Sequence, residues 1–238
     1  MKLPFLTGEW RNLFLATYTV PPSLLKPYLP SGLDLDTRDG DAFVSLVAFQ
    51  FVNTRVVGVP WPTYRNFPEL NLRFYVRHGD DRGIVFVREI VAQRLVAWIA
   101  RTIYNEKFRV APLTSHCGED EQSRTMEYRL AWDGCDQVLR VAGRKPAYLP
   151  DSKSDEHFFK EHRWGYGRTR RGQPLRYEVT HPPWQIFAVQ SYHIDLDWAS
   201  VYGPEWKFLS KATPMSTIFA VGSPIAVYPK GPMQSIGR

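Results

Sequence analysis

The 238-residue sequence has few cysteines and no long apolar run. Its two cysteines, Cys117 and Cys135, match no metal-binding or redox spacing, which makes a reducing compartment, hence the cytoplasm, the expectation. A membrane-spanning helix needs about 18 consecutive apolar residues, and none are present. The N-terminal MKLPFLTGEWRN has neither the apolar stretch nor the small-residue cleavage site of a signal peptide, so none is predicted.

Several catalytic and cofactor-binding motifs are also missing. There is no GxSxG, the nucleophile elbow of many hydrolases. The stretch GYGRTRRG lacks the GxGxxG spacing and follows a predicted helix, so it is no dinucleotide loop. The six histidines show no ligand spacing for a metal. The sequence therefore predicts no cofactor and no metal.

Positive charge is in excess, with a net charge of +6 and a pI near 9.3. The densest basic stretch is RWGYGRTRRGQPLR, from Arg163 to Arg176. One interpretation is a phosphate-binding patch for nucleic acid or a charged surface. The other, which we favour because no nucleic-acid module pattern accompanies the patch, is a solvated hairpin whose arginine stems cover apolar surface.

The pattern of apolar residues predicts a mainly β (α+β) protein with a few short helices. Strands are expected at 13–20, 43–52, 66–79, 83–92, 108–117, 123–132, 137–143, 175–180, 186–194 and 218–228. Helices are expected from Pro21 or Pro22 to Pro30, at 93–105 and at about 155–163. Many strands and few helices imply one antiparallel sheet system, closed or sandwiched.

The stretch NFPELNLRFYVRHG, residues 66–79, alternates strictly and is the most informative strand. Leu70, Leu72, Phe74 and Val76 share one face, which must be core. The other face carries Glu69, Asn71, Arg73, Tyr75 and Arg77. If that face is turned to water, it is an ordinary outer surface. If it is turned to a cavity, it is a candidate site: Glu69 and Arg73 can form an ion pair, and the Asn71 amide between them can both donate and accept a hydrogen bond.

Five stretches resemble the DUF2071 family (YqjF-like proteins). They are the run from WRNLFLATYTV to VSLVAF, FPELNLRFYVR, RLVAWIARTIYN, EHRWGYGRTRRGQPLRYEVTHPPW and SPIAVYP. That family resembles acetoacetate decarboxylase, which implies a single domain over residues 1–238: a cone-shaped antiparallel β-barrel with a central pocket. The resemblance also implies that the polar face of 69–77 partly lines this pocket. It does not imply decarboxylation.

The resemblance bears on the lysine with which acetoacetate decarboxylase forms a Schiff base. The matching stretch here is YNEKFRVA, residues 104–111. In this register Phe108 and Arg109 occupy the two lysine positions, which predicts that the nucleophile is missing. A shift of one residue instead turns Lys107 inward, with Arg109 beside it as the cation that lowers its pKa. Without that shift, Lys107 is a surface lysine.

The same resemblance suggests which side chains reach the pocket. Glu69 falls on the strand that carries an acid to the decarboxylase pocket, and Glu89 on the partner strand is a candidate for the second acid. Arg11 resembles the arginine that meets a substrate carboxylate, for which its planar fork is suited. Asn71, Arg73 and Arg109 are further candidate ligand contacts.

The motif THPPW, residues 180–184, is shared with DUF2071. Its two prolines fix an extended course and hold His181 and Trp184 in place. The functional interpretation is a proton-transferring histidine beside an aromatic wall at the pocket mouth; the structural one is a packed corner. Tyr166 and His162 are expected to close one end of the barrel, or simply to pack there.

Three functions follow from these observations. The first is an enzyme on a small carbonyl or carboxylate compound, of lyase or isomerase type, with Glu69 and His181 as acid or base and no Schiff-base lysine. The second is a non-catalytic binder of a small anionic or carbonyl ligand. The third and least favoured is a nucleic-acid or surface binder using the basic stretch. No membrane partner is predicted.

Overall fold

The computed structural model describes residues 3–60, 64–93, 108–169 and 171–233. Its strands are β1 (Leu6–Val20), β2 (Asp34–Leu35), β3 (Ala42–Val56), β4 (Val59–Pro60), β5 (Phe67–His78), β6 (Asp81–Val91), β7 (Phe108–Val110), β8 (Leu113–Glu119), β9 (Ser123–Trp132), β10 (Cys135–Tyr148), β11 (Trp164–Arg168), β12 (Pro174–Thr180), β13 (Ile186–Asp195), β14 (Ser216–Val227) and β15 (Gly231–Pro232). The helices are α1 (Pro22–Leu25), α2 (Asp155–Lys160), α3 (Trp198–Tyr202) and a 3₁₀ helix (Pro204–Lys211).

The mainly β class is confirmed, and several elements differ in length from their prediction. The strand expected at 108–117 is two strands, because Pro112 has no N–H to continue a ladder. Helix α1 ends at Leu25, well before Pro30, since Pro27 likewise removes a helical donor. The helix expected at 93–105 lies outside the described residues. None of the helices described is long and apolar enough to cross a membrane.

The strands form one sheet whose path of pairing returns on itself. Most of the path follows the order β12, β11, β6, β5, β3, β1 and β14. Strand β12 then also pairs with β14, through Val179 with Val227 and Thr180 with Ala226. These seven strands therefore make a closed ring of pairings, and β13, β10, β9 and β8 continue the sheet beyond β14.

The central strands are buried on both faces. On β5, Leu70, Leu72 and Phe74 belong to a first core, which also takes in side chains of β8, β9 and β10. Tyr75, on the opposite face, belongs to a second core inside the ring of seven strands, with Trp184 among its members. The face that carries the polar residues of β5 is thus turned to the inside of the ring.

A bulge in β1 changes which of its side chains face the second core. Asn12 has a φ of 56°, and the pairing with β3 shifts register between Arg11 and Phe14. An extra residue in a strand reverses the alternation of faces. Trp10 and Leu13 therefore both point into the ring, and Arg11 points away from it.

Candidate ligand-binding site

The second core surrounds a cavity of about 170 Å³. Its wall is mostly apolar and rich in aromatic residues, which are Phe5, Trp10, Phe49, Phe51, Tyr64, Phe67, Phe86, Phe108, Trp164, Tyr177 and Trp184. The polar residues along it are Thr54, Glu69, Asn71, Arg73, Glu89, Lys160, His162 and His181. An enclosed apolar wall with a few converging polar groups is the usual form of a small-molecule site.

The polar row of β5 forms one side of the cavity. Glu69, Asn71 and Arg73 are 5%, 2% and 8% exposed. The Asn71 amide donates to Glu69 Oε1 at 3.0 Å, and the Arg73 guanidinium donates to the Phe159 carbonyl at 3.0 Å. Glu89, on β6, pairs with Asn71 across the ladder and is 4% exposed. The alternating pattern of 66–79 therefore marks the wall of a cavity and not an outer surface.

Burial changes the acidity of Glu69. Loss of solvent raises the pKa of Glu69 from 4.5 to about 7, although the hydrogen bond from Asn71 and the positive charge of Arg73 both act to lower it. The effect of burial on this pKa is the largest of the three, because a carboxylate loses most of its solvation inside an apolar cavity. Glu69 is consequently a carboxyl group that gains and loses a proton near neutral pH.

A second polar group comes from the end of α2. The helix starts at Ser154, whose hydroxyl accepts the His157 N–H at 3.2 Å. At its last residue Lys160 is 1% exposed, lines the cavity and forms an ion pair with Glu161. The sequence interpretation missed Lys160, because its place directly after two phenylalanines in FFKEH is also compatible with an ordinary lysine at a helix end.

His162 follows directly and also lines the cavity. Its ring centroid lies 5.0 Å from that of Tyr75. Both ring nitrogens are buried and have no hydrogen-bond partner within the described chain. Burial lowers the pKa of His162 well below its usual value, and the charges of Arg73 and Arg82 lower it further. The imidazole is therefore neutral at physiological pH.

The THPPW corner supplies an aromatic wall, as one interpretation of the sequence expected. The His181 and Trp184 rings stack with centroids 4.5 Å apart, and the Trp184 indole donates to the Ser223 hydroxyl at 2.9 Å. Burial lowers the pKa of His181, against opposing effects of the Pro182 carbonyl and the Glu161 carboxylate. His181 thus faces the cavity as a mainly neutral imidazole.

Three candidate residues lie elsewhere. The bulge at Asn12 turns Arg11 to the outside of the ring, where it pairs with Glu9 beside a shallow surface depression. Arg109 is exposed on β7, because its neighbour Phe108 takes the cavity side opposite Glu89. Tyr166 is buried in the first core instead of the cavity wall.

Lys107 lies outside the described residues. The only lysine that lines the cavity, within the part of the chain the structure describes, is Lys160.

The basic stretch 163–176 forms the hairpin of β11 and β12. Arg163 donates to Glu178 at 2.7 Å, and Arg176 pairs with Asp81 at 3.4 Å. The Arg176 guanidinium also lies 4.4 Å from the centroid of the Trp164 ring. These contacts agree with the interpretation as a hairpin whose arginine stems cover apolar surface.

The fold is that of the acetoacetate decarboxylase-like proteins. The chain is similar to an acetoacetate decarboxylase-like enzyme from Sphingomonas wittichii RW1, with a TM-score of 0.68, 12% identity, and coverage of 98% of this chain and 95% of that one. It is also similar to the enduracididine biosynthesis enzyme MppR complexed with pyruvate, with a TM-score of 0.64, 10% identity, and coverage of 99% and 92%. At these identities the likeness shows the fold alone.

Within that fold the chain belongs to the DUF2071 family, described as "Uncharacterized conserved protein", whose sequence profile matches residues 7–224. A relative is the "Uncharacterized protein YqjF" of Bacillus subtilis (strain 168). It is 29% identical over 180 residues, which cover 74% of this chain and 73% of the relative. The resemblance on which the sequence interpretation rested is therefore confirmed.

Proposed function

We propose that this protein is an acid–base enzyme acting on a small carbonyl or carboxylate compound bound in the aromatic cavity. The observation that carries the proposal is the buried Glu69 carboxyl, whose pKa is raised to about 7 by burial. A general base works best when its pKa lies near the operating pH. Perturbed acids in clefts are also common at functional sites.

The reaction that suits this arrangement is proton transfer at a carbon next to a carbonyl. The Glu69 carboxylate takes the proton, the C–H electron pair forms a carbon–carbon double bond, and the carbonyl electrons move to oxygen as an enolate. The Arg73 guanidinium, on the same face of β5, offsets that negative charge. Return of the proton from Glu69 to carbon restores the carbonyl compound, so no Schiff-base lysine takes part. His181 is the second candidate acid or base on the cavity wall.

The test is hydrogen–deuterium exchange at the methyl group of pyruvate, followed by NMR in D₂O. Pyruvate is chosen because the structurally similar MppR was solved with it. We expect the protein to accelerate exchange and Glu69→Gln to abolish the acceleration. Glu119→Gln is the matched control, since Glu119 is an exposed carboxylate at the end of β8, outside the cavity wall. Undiminished exchange in Glu69→Gln would overturn the proposal.

The second candidate function is a non-catalytic binder that uses the same cavity. The observation that favours it is the lining of the cavity, because ligand binding without a reaction is enough to explain an aromatic wall and a row of polar side chains. Binding of 2-oxo acids by calorimetry, with no exchange by NMR, would establish this alternative. The pairing of Arg163 and Arg176 with carboxylates gives no comparable support to nucleic-acid binding.

A further inference from the structure

Five side chains of the cavity wall carry buried polar atoms that have no hydrogen-bond partner in the described parts of the chain. They are Trp10 Nε1, Thr54 Oγ1, Asn71 Oδ1, Arg73 Nε and the two ring nitrogens of His162. Leaving a buried polar atom without a partner destabilises the folded state. The five side chains line one cavity, so a bound molecule can serve as a partner for several of these atoms. Asn71 Oδ1 can only accept a hydrogen bond, and Arg73 Nε can only donate one.

From these atoms we infer that the cavity binds a small 2-hydroxy acid, or the enol of a 2-oxo acid, with an aromatic or branched apolar body. The inference rests on the proposed function and names its ligand class. Arg73 Nε donates to the carboxylate of such a ligand. Asn71 Oδ1 accepts from the hydroxyl on the adjacent carbon, a hydrogen bond that the keto form has no proton to make.

The charge of Arg73 favours a negative group on the ligand. The ammonium of Lys160 is already held by the neighbouring Glu161. The Arg73 guanidinium donates to a neutral acceptor, the Phe159 carbonyl, and the nearby Glu69 carboxyl is mostly protonated below its pKa of about 7. A ligand carboxylate beside Arg73 therefore compensates a buried cation, although the Glu89 carboxyl on the same wall acts against a second negative charge.

The size and lining of the cavity determine which apolar group the ligand can carry. A cavity of about 150 Å³ is known to hold benzene, and the volume here is about 170 Å³. A phenyl-sized group with a short polar head fills this space. Edge-to-face contacts with aromatic neighbours also stabilise such a ring. A lone two-carbon or three-carbon acid leaves most of the wall without contact.

The experiment is isothermal titration calorimetry of the full chain with four related acids. Mandelate carries the phenyl ring, the hydroxyl and the carboxylate. Phenylacetate lacks the hydroxyl, lactate lacks the ring, and phenylglycine replaces the hydroxyl by an ammonium. We expect mandelate to bind about tenfold more tightly than each of the others, because loss of one hydrogen bond or of the ring costs at least about 1.4 kcal/mol.

Two variants assign the contacts. Asn71→Ala is expected to bring mandelate and phenylacetate to within about twofold of each other, since the selective acceptor is gone. Arg73→Ala is expected to weaken all carboxylates about tenfold or more, while the control Arg11→Ala, outside the cavity, leaves them unchanged. The comparison of the four acids needs no variant, so it stands even where a substitution prevents folding.

Equal affinity for the four acids, or tightest binding of phenylglycine, would overturn the inference. The two proposals fail separately. Selective mandelate binding, with no exchange at the methyl group of pyruvate or at C3 of phenylpyruvate, removes the catalytic role of Glu69 and leaves the ligand class intact. Exchange that depends on Glu69, with no preference among the four acids, removes the ligand class and leaves the chemistry.

Discussion

Replacing Glu69 by glutamine should make the protein more stable, and increasingly so as the pH rises. Glu69 titrates at about 7 in the folded protein, against 4.5 when unfolded. The folded state therefore holds a proton that the unfolded state has released between these values. Where the folded state binds more protons, stability falls as the pH rises. Glutamine does not titrate in this range, so the stability of the variant does not fall for this reason as the pH rises.

The magnitude follows from the two pKa values. At about 1.4 kcal/mol per pKa unit, moving from 4.5 to about 7 corresponds to a loss of about 3 kcal/mol that is complete above the folded pKa. Between about pH 5 and about pH 8, the advantage of Glu69→Gln should grow by about 2–3 kcal/mol. The opposing effects of Asn71 and Arg73 are already contained in the pKa of about 7.

Urea denaturation of both proteins at several pH values measures this difference directly. The curves of unfolding free energy against pH should diverge on the alkaline side. The exposed Glu119, whose pKa is lowered by its hydrogen bond with Lys145 and the charge of Arg124, provides the comparison. Glu119→Gln should gain no advantage as the pH rises. Parallel curves for wild type and Glu69→Gln would refute the assignment of a raised pKa to Glu69.

Three further predictions concern catalysis, the reactivity of the lysines and the ring of strands. The rate of pyruvate exchange should rise with pH and level off above about 7, since the base is the ionised form of Glu69; a rate that falls through this range would contradict that role. Borohydride reduction in the presence of pyruvate should add no mass to Lys160, because its ammonium is paired with the neighbouring Glu161; an adduct on Lys160 or Lys107 in peptide mass spectrometry would restore Schiff-base chemistry. Gly222→Ala should lower the unfolding free energy by about 2–4 kcal/mol, since Gly222 has a φ of +88° and its Cβ would lie 1.9 Å from a main-chain oxygen of β1. Gly134→Ala has a similar φ and open space, so it should cost only about 1 kcal/mol; equal losses in urea titrations would show that the close approach to β1 is not responsible.

The strands were predictable because their alternation is local. Leu70, Leu72 and Phe74 share a face in any regular strand, and the structure places them together in the first core. What lies opposite Glu69 depends on how distant strands close, and the alternation alone allowed an outer surface as readily as a cavity. The family resemblance, and not the alternation, favoured the cavity.

The errors in the candidate site come from single-residue effects. Arg11 lies two residues before Leu13, so regular alternation predicts the same face for both; the bulge at Asn12 breaks it. Lys160 escaped notice because the end of α2 reaches the cavity only through tertiary packing. His162, in the turn after α2, was expected to close one end of the barrel or to pack there, and not to present two unpartnered nitrogens beside the cavity. No local pattern distinguishes a lysine at the end of a surface helix from one directed into a cavity.

The buried polar residues of the cavity wall also distinguish the two candidate functions, an acid–base enzyme and a non-catalytic binder. Burying Arg73, Lys160 and several acids costs free energy that apolar residues of similar size would not. A binder of small acids needs Arg73 and Asn71 for its ligand, and it gains nothing from a carboxyl that titrates near neutrality. A buried acid with a pKa of about 7 beside the Arg73 guanidinium is instead what reversible proton transfer to carbon needs, because the same group must accept and return the proton at one pH.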